Sequence, residues 1–149
     1  MDEALDVGAG AMEAEAMILV QTEADLTRFW RLVRAGLDVP SPQVSFVLID
    51  AHGAPCPQVT TIDGLPSRPT TQVVEQLAEV VEESYRRLTP GGTAGLLWSR
   101  PGRGPIRAGE SAWMRLVGDS LRRRRVVAWP AHVANDAYLR IVGADDLAA

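Results

Sequence analysis

Lysine is absent from this chain of 149 residues, cysteine occurs once, at Cys56, and histidine only twice, at His52 and His132. A lone cysteine excludes an intramolecular disulfide and suits a reducing compartment. No Gly-Lys-Ser/Thr follows Gly102-Arg103-Gly104, which excludes a Walker phosphate loop. There is likewise no Gly-x-Ser-x-Gly elbow to present a serine nucleophile. Long apolar runs are missing as well, and Met1 to Asp6 is acidic rather than basic. Neither a secretory signal nor a transmembrane helix is expected, so the expectation is a cytoplasmic protein with no membrane partner.

What remains is an ordinary globular composition, 46% hydrophobic and 23% charged, in a length that suits one domain with its own core. All 15 basic residues are arginine. Selection for bidentate anion contacts would produce this at a few sites. A GC-rich coding bias, which the wealth of Ala, Gly and Val also suggests, would produce it everywhere. The arginines are unevenly placed: Arg86 to Arg125 holds ten against two acids, net +8, and the remainder carries five against seventeen, net −12.

Residues 1–14 are rich in Ala, Glu and Gly and predict a disordered tail, followed by one α/β domain over 15–149. Thr22 and Asp25 have capping-box spacing, which starts a helix near Glu23, while Ala16–Val20 reads equally as strand or helical turn. Val44–Asp50 and Gln58–Ile62 predict a hairpin. Val73, Val74, Leu77, Val81, Tyr85 and Leu88 form one apolar stripe along a helix over Thr70–Leu88, with Glu82–Arg86 and Glu83–Arg87 as i,i+4 pairs. Thr93–Trp98 reads as a central strand, and Trp113, Leu116, Val117 and Leu121 mark a second amphipathic helix ending in Arg122–Arg125. Val126–Trp129 and Tyr138–Val142 predict two last strands, with a turn at Asn135–Asp136 between them. A mixed sheet with helices on both faces satisfies this order.

That order, together with Leu96-Leu97-Trp98-Ser99-Arg100-Pro101-Gly102, resembles the JAB/MPN metalloprotease-like family, above all its RadC-type branch, over roughly residues 42–142. A set of actinobacterial proteins with a similar Arg-Pro-Gly loop is also similar. The resemblance implies a three-layer α/β/α domain with the outline shared by JAB and cytidine-deaminase folds. In the family, His-x-His is followed by seven residues, Ser, two residues and Asp, with a proline directly after the second His. The two His and the Asp hold zinc, and an upstream Glu activates its water. Placing Pro101 on that proline puts Trp98 and Arg100 at the two His positions, Ala108 at the Ser and Ser111 at the Asp. The upstream Glu falls near Pro42–Gln43, where no acid stands. Trp has no lone pair for a metal and Arg carries a fixed positive charge, so no zinc, no other cofactor and no hydrolytic activity are expected.

Other constellations are weaker. His52 and Cys56, with Asp50 nearby, read as a metal half-site or Cys/His pair, or as a polar turn with a buried thiol. His132 has no cluster to join. Trp30, Trp98, Trp113 and Trp129 read as core or interface anchors. The loop between the central strand and the second helix offers Arg100, Arg103 and Arg107 as donors to an anionic ligand, at a strand's carboxyl end and a helix N-terminus. The sequence thus points to a non-catalytic JAB-like module for a protein partner or an anionic small molecule, with homo-oligomerisation left open. Two alternatives stand beside it. One is a nucleic-acid-associated protein using the Arg86–Arg125 surface, with Arg122, Arg123, Arg124 and Arg125 at its centre. That surface lacks interleaved aromatics, and cations also favour a helix C-terminus for its own sake. The other is an enzyme of a different kind.

Overall fold

Strands β1 (Gln43–Ile49) and β3 (Thr93–Ser99) form the middle of the molecule, antiparallel to each other from Gln43↔Ser99 to Ile49↔Thr93. In this computed structural model, which describes residues 18–36 and 38–148, these two strands belong to a five-stranded sheet. Strand β2 (Thr60–Asp63) completes the hairpin on one edge. On the other side β4 (His132–Ala134) runs parallel to β3, and β5 (Leu139–Ile141) returns antiparallel to β4. The fold is α/β with a mixed sheet, as the element order predicts. The tail expected over residues 1–14 lies outside the described residues, as do residues 16 and 17. Residues 18–20 are neither strand nor helix, and Val20 is anchored by donating its N–H to the Gly53 carbonyl at 2.7 Å.

Every residue of β1 is buried, because alternate side chains enter different cores. Val44, Phe46 and Leu48, with Leu96 and Trp98 of β3, pack against helices α2 (Thr71–Leu88) and α3 (Ala108–Arg123). Val47, Ile49 and Leu97 pack against Leu26, Phe29, Trp30 and Val33 of helix α1 (Glu23–Ala35). A period of two in the strands thus meets apolar helix stripes from both sides. Gly95 permits a close approach of α1 to β3: a Cβ there would sit 3.1 Å from Leu26 Cδ2.

Local chemistry explains the helix starts. Thr22 Oγ1 accepts the Asp25 N–H at 3.1 Å, and Asp25 Oδ2 accepts the Thr22 N–H at 3.1 Å and that of Gln21 at 2.9 Å. These backbone donors, Gln21 foremost, hold the Asp25 carboxyl below its ordinary range. Thr70 caps α2 through the Val73 N–H. Of the two ion pairs expected on α2, Glu82–Arg86 forms at 3.0 Å, whereas no Glu83–Arg87 contact occurs among the described residues. A short helix α4 (Ala144–Ala148), not anticipated from the sequence, is tied to α3 by Ser111 Oγ donating to the Asp146 carbonyl.

The strand expected over Val126–Trp129 does not form. Its only pairing is one parallel bridge, Ala94↔Ala128, and the chain becomes strand only at His132. The cause is the stop of α3. The Val126 N–H bonds the Leu121 carbonyl and the Arg125 N–H bonds that of Arg122, a Schellman closure that places Arg125 in the left-handed region at φ 63°. That geometry consumes the residues that would have begun the strand. A left-handed residue with a Cβ carries a cost that glycine lacks. Arg125→Gly should therefore raise stability by about 0.5–1 kcal/mol, read as a higher urea midpoint at unchanged slope. A fall in midpoint would show that the arginine side chain contributes more than its backbone costs.

Candidate ligand-binding site

The carboxyl end of β3, the loop after it and the first turn of α3 enclose one side of a cavity of about 600 Å³. The opposite wall is the loop Leu65–Pro69, and Pro42 and Gln43 at the start of β1 close the end. Each wall is fixed by a specific contact. Trp113 Nε1 donates to the Pro66 carbonyl at 2.8 Å. Gly109 lets the Ser67 carbonyl lie directly against α3, where any Cβ would collide with it. Trp98 and Trp113 stack obliquely with ring centroids 5.9 Å apart and supply apolar wall together with Leu65 and Leu116.

The loop itself is pinned by Arg100. This side chain is buried, with its Nε donating to Glu110 Oε2, Nη1 to the Pro101 carbonyl at 3.3 Å and Nη2 to that of Pro105 at 2.9 Å. Glu110 Oε1 in turn accepts the Arg107 N–H at 2.7 Å. Contacts from the β4–β5 turn hold the outer loop: Gly102 N–H to Asp136 Oδ2, and Asn135 Nδ2 and the Tyr138 hydroxyl to the Gly104 carbonyl. Asn135 Oδ1 also accepts the N–H groups of Ala137 and Tyr138, which makes the turn the sequence predicts at this point.

The three arginines expected to act together are thereby separated. Arg100 lines the cavity, yet its guanidinium is committed to Glu110 and two carbonyls, so the expectation of a free donor does not survive its geometry. Arg103 is exposed and does not line the cavity. Arg107 does line it, exposed, and its side chain makes no hydrogen bond or ion pair among the described residues. Sequence reading missed Arg68, which faces the same cavity in the same condition. Its only local signal is a position between Pro66 and Pro69 in a stiffened loop.

The proposed basic surface is also mostly spent. Arg124 donates to Glu82 at 2.7 Å and Glu75 at 2.8 Å, Arg123 reaches Glu75 at 3.1 Å, Arg122 pairs with Asp119, and Arg86 pairs with Glu82. Arg124 is the largest influence holding both the Glu75 and Glu82 carboxyls below their ordinary range. The Arg123 and Arg124 contacts tie the end of α3 to Glu75 and Glu82 of α2, while the Arg122 and Arg86 pairs each lie within one helix, so these cations are paired rather than free for phosphate. Arg125 and Arg122 border a second groove, of about 630 Å³, between α3 and residues 126–131.

His52 and Cys56 follow Asp50 in a polar turn. Asp50 Oδ1 accepts the N–H groups of His52 and Ala54, both at 2.9 Å, which forms a tight polar turn and lowers the Asp50 pKa. Burial, with Asp50 second, pushes the Cys56 thiol up, away from thiolate reactivity. No group of three His, Cys, Asp or Glu able to hold a metal occurs among the described residues. His132 is fully buried between β4 and α1, with Nε2 2.6 Å from Thr27 Oγ1. Burial drops its pKa to about 4; the Pro130 carbonyl works against that shift and the charge of Arg31 adds to it.

The fold and site define an α/β domain with a largely apolar cavity at the carboxyl end of β3 and the exposed Arg68 and Arg107 at its rim. Comparison of the chain with protein-family models, curated proteins and solved structures finds no match. No helix among the described residues is long and apolar enough to cross a membrane.

Proposed function

We propose that this chain is a JAB-like domain without metal or hydrolytic activity, which binds an anionic ligand or a protein partner through the cavity at the carboxyl end of β3. One observation carries the reading. The positions that the resemblance assigns to a metalloprotease centre, Ser111 apart, are up to 66 residues apart in sequence, yet they line a single cavity. Pro42, Gln43, Trp98, Arg100 and Ala108 all line it, and Ser111 lies in the same first turn of α3. Side chains at those positions offer no His, Cys or carboxylate ligand, and the one nearby acid, Glu110, is already engaged by Arg100 and the Arg107 N–H. A catalytic zinc needs three protein ligands and an open fourth position. A cavity of this size with apolar walls and few polar groups suits binding instead.

The nucleic-acid alternative is weakened by the internal pairing of Arg86, Arg122, Arg123 and Arg124. The reading is tested by metal analysis of protein purified without chelator or polyhistidine tag. Less than about 0.1 zinc per chain is expected, whereas about one per chain overturns the proposal and demands a ligand set from other residues.

A further inference from the structure

Four buried side-chain polar atoms have no hydrogen-bond partner among the described residues: Trp30 Nε1, Arg34 Nε, Ser99 Oγ and His132 Nδ1. All four lie in one layer, between α1 and the sheet, on the side away from α3. We infer that Trp30, Arg34 and Ser99 form a buried site for a halide-sized monovalent anion at the carboxyl ends of β3 and β4. Leu97 packs against α1 while Leu96 and Trp98 pack against α2 and α3, so the period of two sends Ser99 toward α1. Its parallel neighbour Ala134 is fully buried in the same core and carries only a methyl group. Arg34 Nη2 donates to the Asn135 carbonyl at 3.3 Å, which brings the guanidinium over the end of β4 beside Ala134. Trp30 lies one helical turn before Arg34, on the same face of α1, and is fully buried in that core. Adjacent strands are about 4.8 Å apart, so Ser99 from β3 and Trp30 and Arg34 from α1 converge above Ala134. His132 stands apart at the start of β4, beside Thr27 and the Pro130 carbonyl.

The chemistry of the three atoms selects the ligand. Buried polar groups are normally satisfied, so three exceptions around one methyl group fit a common partner. An indole N–H and a guanidinium N–H can only donate, and a serine hydroxyl can do either. Their partner must therefore accept at least twice, which excludes a metal cation or an ammonium group. A water molecule meets that count by accepting from Trp30 and Arg34 and donating to Ser99, but it carries no charge. Arg34 makes no ion pair among the described residues, and its one hydrogen bond goes to a neutral carbonyl. A buried guanidinium without a counter-charge is costly, and an anion offsets it where water does not. Trp30, Leu97 and Ala134 are all fully buried, which limits the ligand to about the size of chloride.

The test unfolds the full chain in urea with sodium chloride and with sodium gluconate at equal ionic strength, gluconate being too large for a buried site. Linkage gives a urea midpoint at least about 0.3 M higher in chloride, with the rise saturating as chloride increases. Ser99→Ala should move that saturation to about fivefold higher chloride, the loss of one hydrogen bond. Arg34→Met should abolish the chloride response, whereas Arg31→Gln, at an exposed arginine of the same helix, should keep it. Crystals grown in bromide should show an anomalous peak within about 3.5 Å of Trp30 Nε1, Arg34 Nε and Ser99 Oγ. A midpoint no higher in chloride than in gluconate, or an equal response in the Arg34 and Arg31 variants, overturns the inference. So does a water molecule without bromide at the three atoms, a result read on the unaltered chain and therefore decisive even if Arg34→Met fails to fold. The site lies on the other side of the sheet from the cavity, so neither outcome bears on the cavity's own reading.

Discussion

Replacing Arg100 by methionine should destabilise the protein by about 3 kcal/mol, the cost of breaking a largely buried ion pair together with two hydrogen bonds to carbonyls. The guanidinium joins the end of β3 to the first turn of α3 through Glu110, and holds the intervening loop through the Pro101 and Pro105 carbonyls. Methionine fills similar volume but leaves Glu110 facing apolar surroundings and both carbonyls without their donor. For a chain of this length the loss corresponds to a fall in melting temperature of roughly 10 °C. Arg103→Ala, on the exposed part of the same loop, should change stability by less than about 0.5 kcal/mol. A double-mutant cycle of Arg100→Met with Glu110→Gln should give a coupling of about 1 kcal/mol or more, measured by urea unfolding at pH 7.5. Equal small effects of the Arg100 and Arg103 variants would show the buried pair to be dispensable, and the loop to be held by the β4–β5 turn alone.

A second large effect is expected from acid. His132 has an ordinary pKa of 6.5 and a folded value of about 4. The unfolded chain therefore binds more protons than the folded one between these values, and stability falls as pH falls. The contribution is fully present above pH 6.5 and is lost on passing down through pH 4. Linkage gives a loss of about 2 kcal/mol between pH 7.5 and 5.0, and about 3 kcal/mol in full. Asp25, Asp50, Glu75, Glu82 and Asp146 have lowered pKa values, so their contributions are lost mainly below their ordinary values of 3.8 and 4.5. Unfolding at pH 5.0 thus isolates the histidine. His132→Leu should lower stability at pH 7.5, since Thr27 loses its ring partner, but should flatten the profile between pH 7.5 and 5.0. An unchanged slope in that variant would assign the acid sensitivity to another group.

Both effects depend on where side chains meet, and this divides what could be read from the sequence from what could not. The period of Val74, Leu77, Val81 and Tyr85 sets the buried face of α2, and Thr22 with Asp25 sets the start of α1. Val44–Ile49 and Thr93–Trp98 are apolar enough to demand the sheet centre, and Asn135 specifies its own turn. These are properties of neighbours within one or two helical turns, so they are written in local order. Val126–Trp129 has the composition of a strand, but the helix stop before it takes up the backbone that pairing would need.

The cavity and the fate of the arginines belong to the tertiary structure. Arg124 meets Glu75 from 49 residues away, and His132 meets Thr27 across 105. A run of arginines gives no sign of whether acids of another helix will face it. Arg68 and Arg107 come to one cavity only because the Trp113–Pro66 hydrogen bond and the bare Gly109 bring the 65–69 loop onto α3. Sequence by itself determined the three long helices, the first three strands and much of the core, because burial follows from apolar periodicity, whereas β4 and the short helix α4 were not legible in it. Which charges are spent in the scaffold and which remain for a ligand was decided by folding, because an ion pair depends on distance in space and not along the chain.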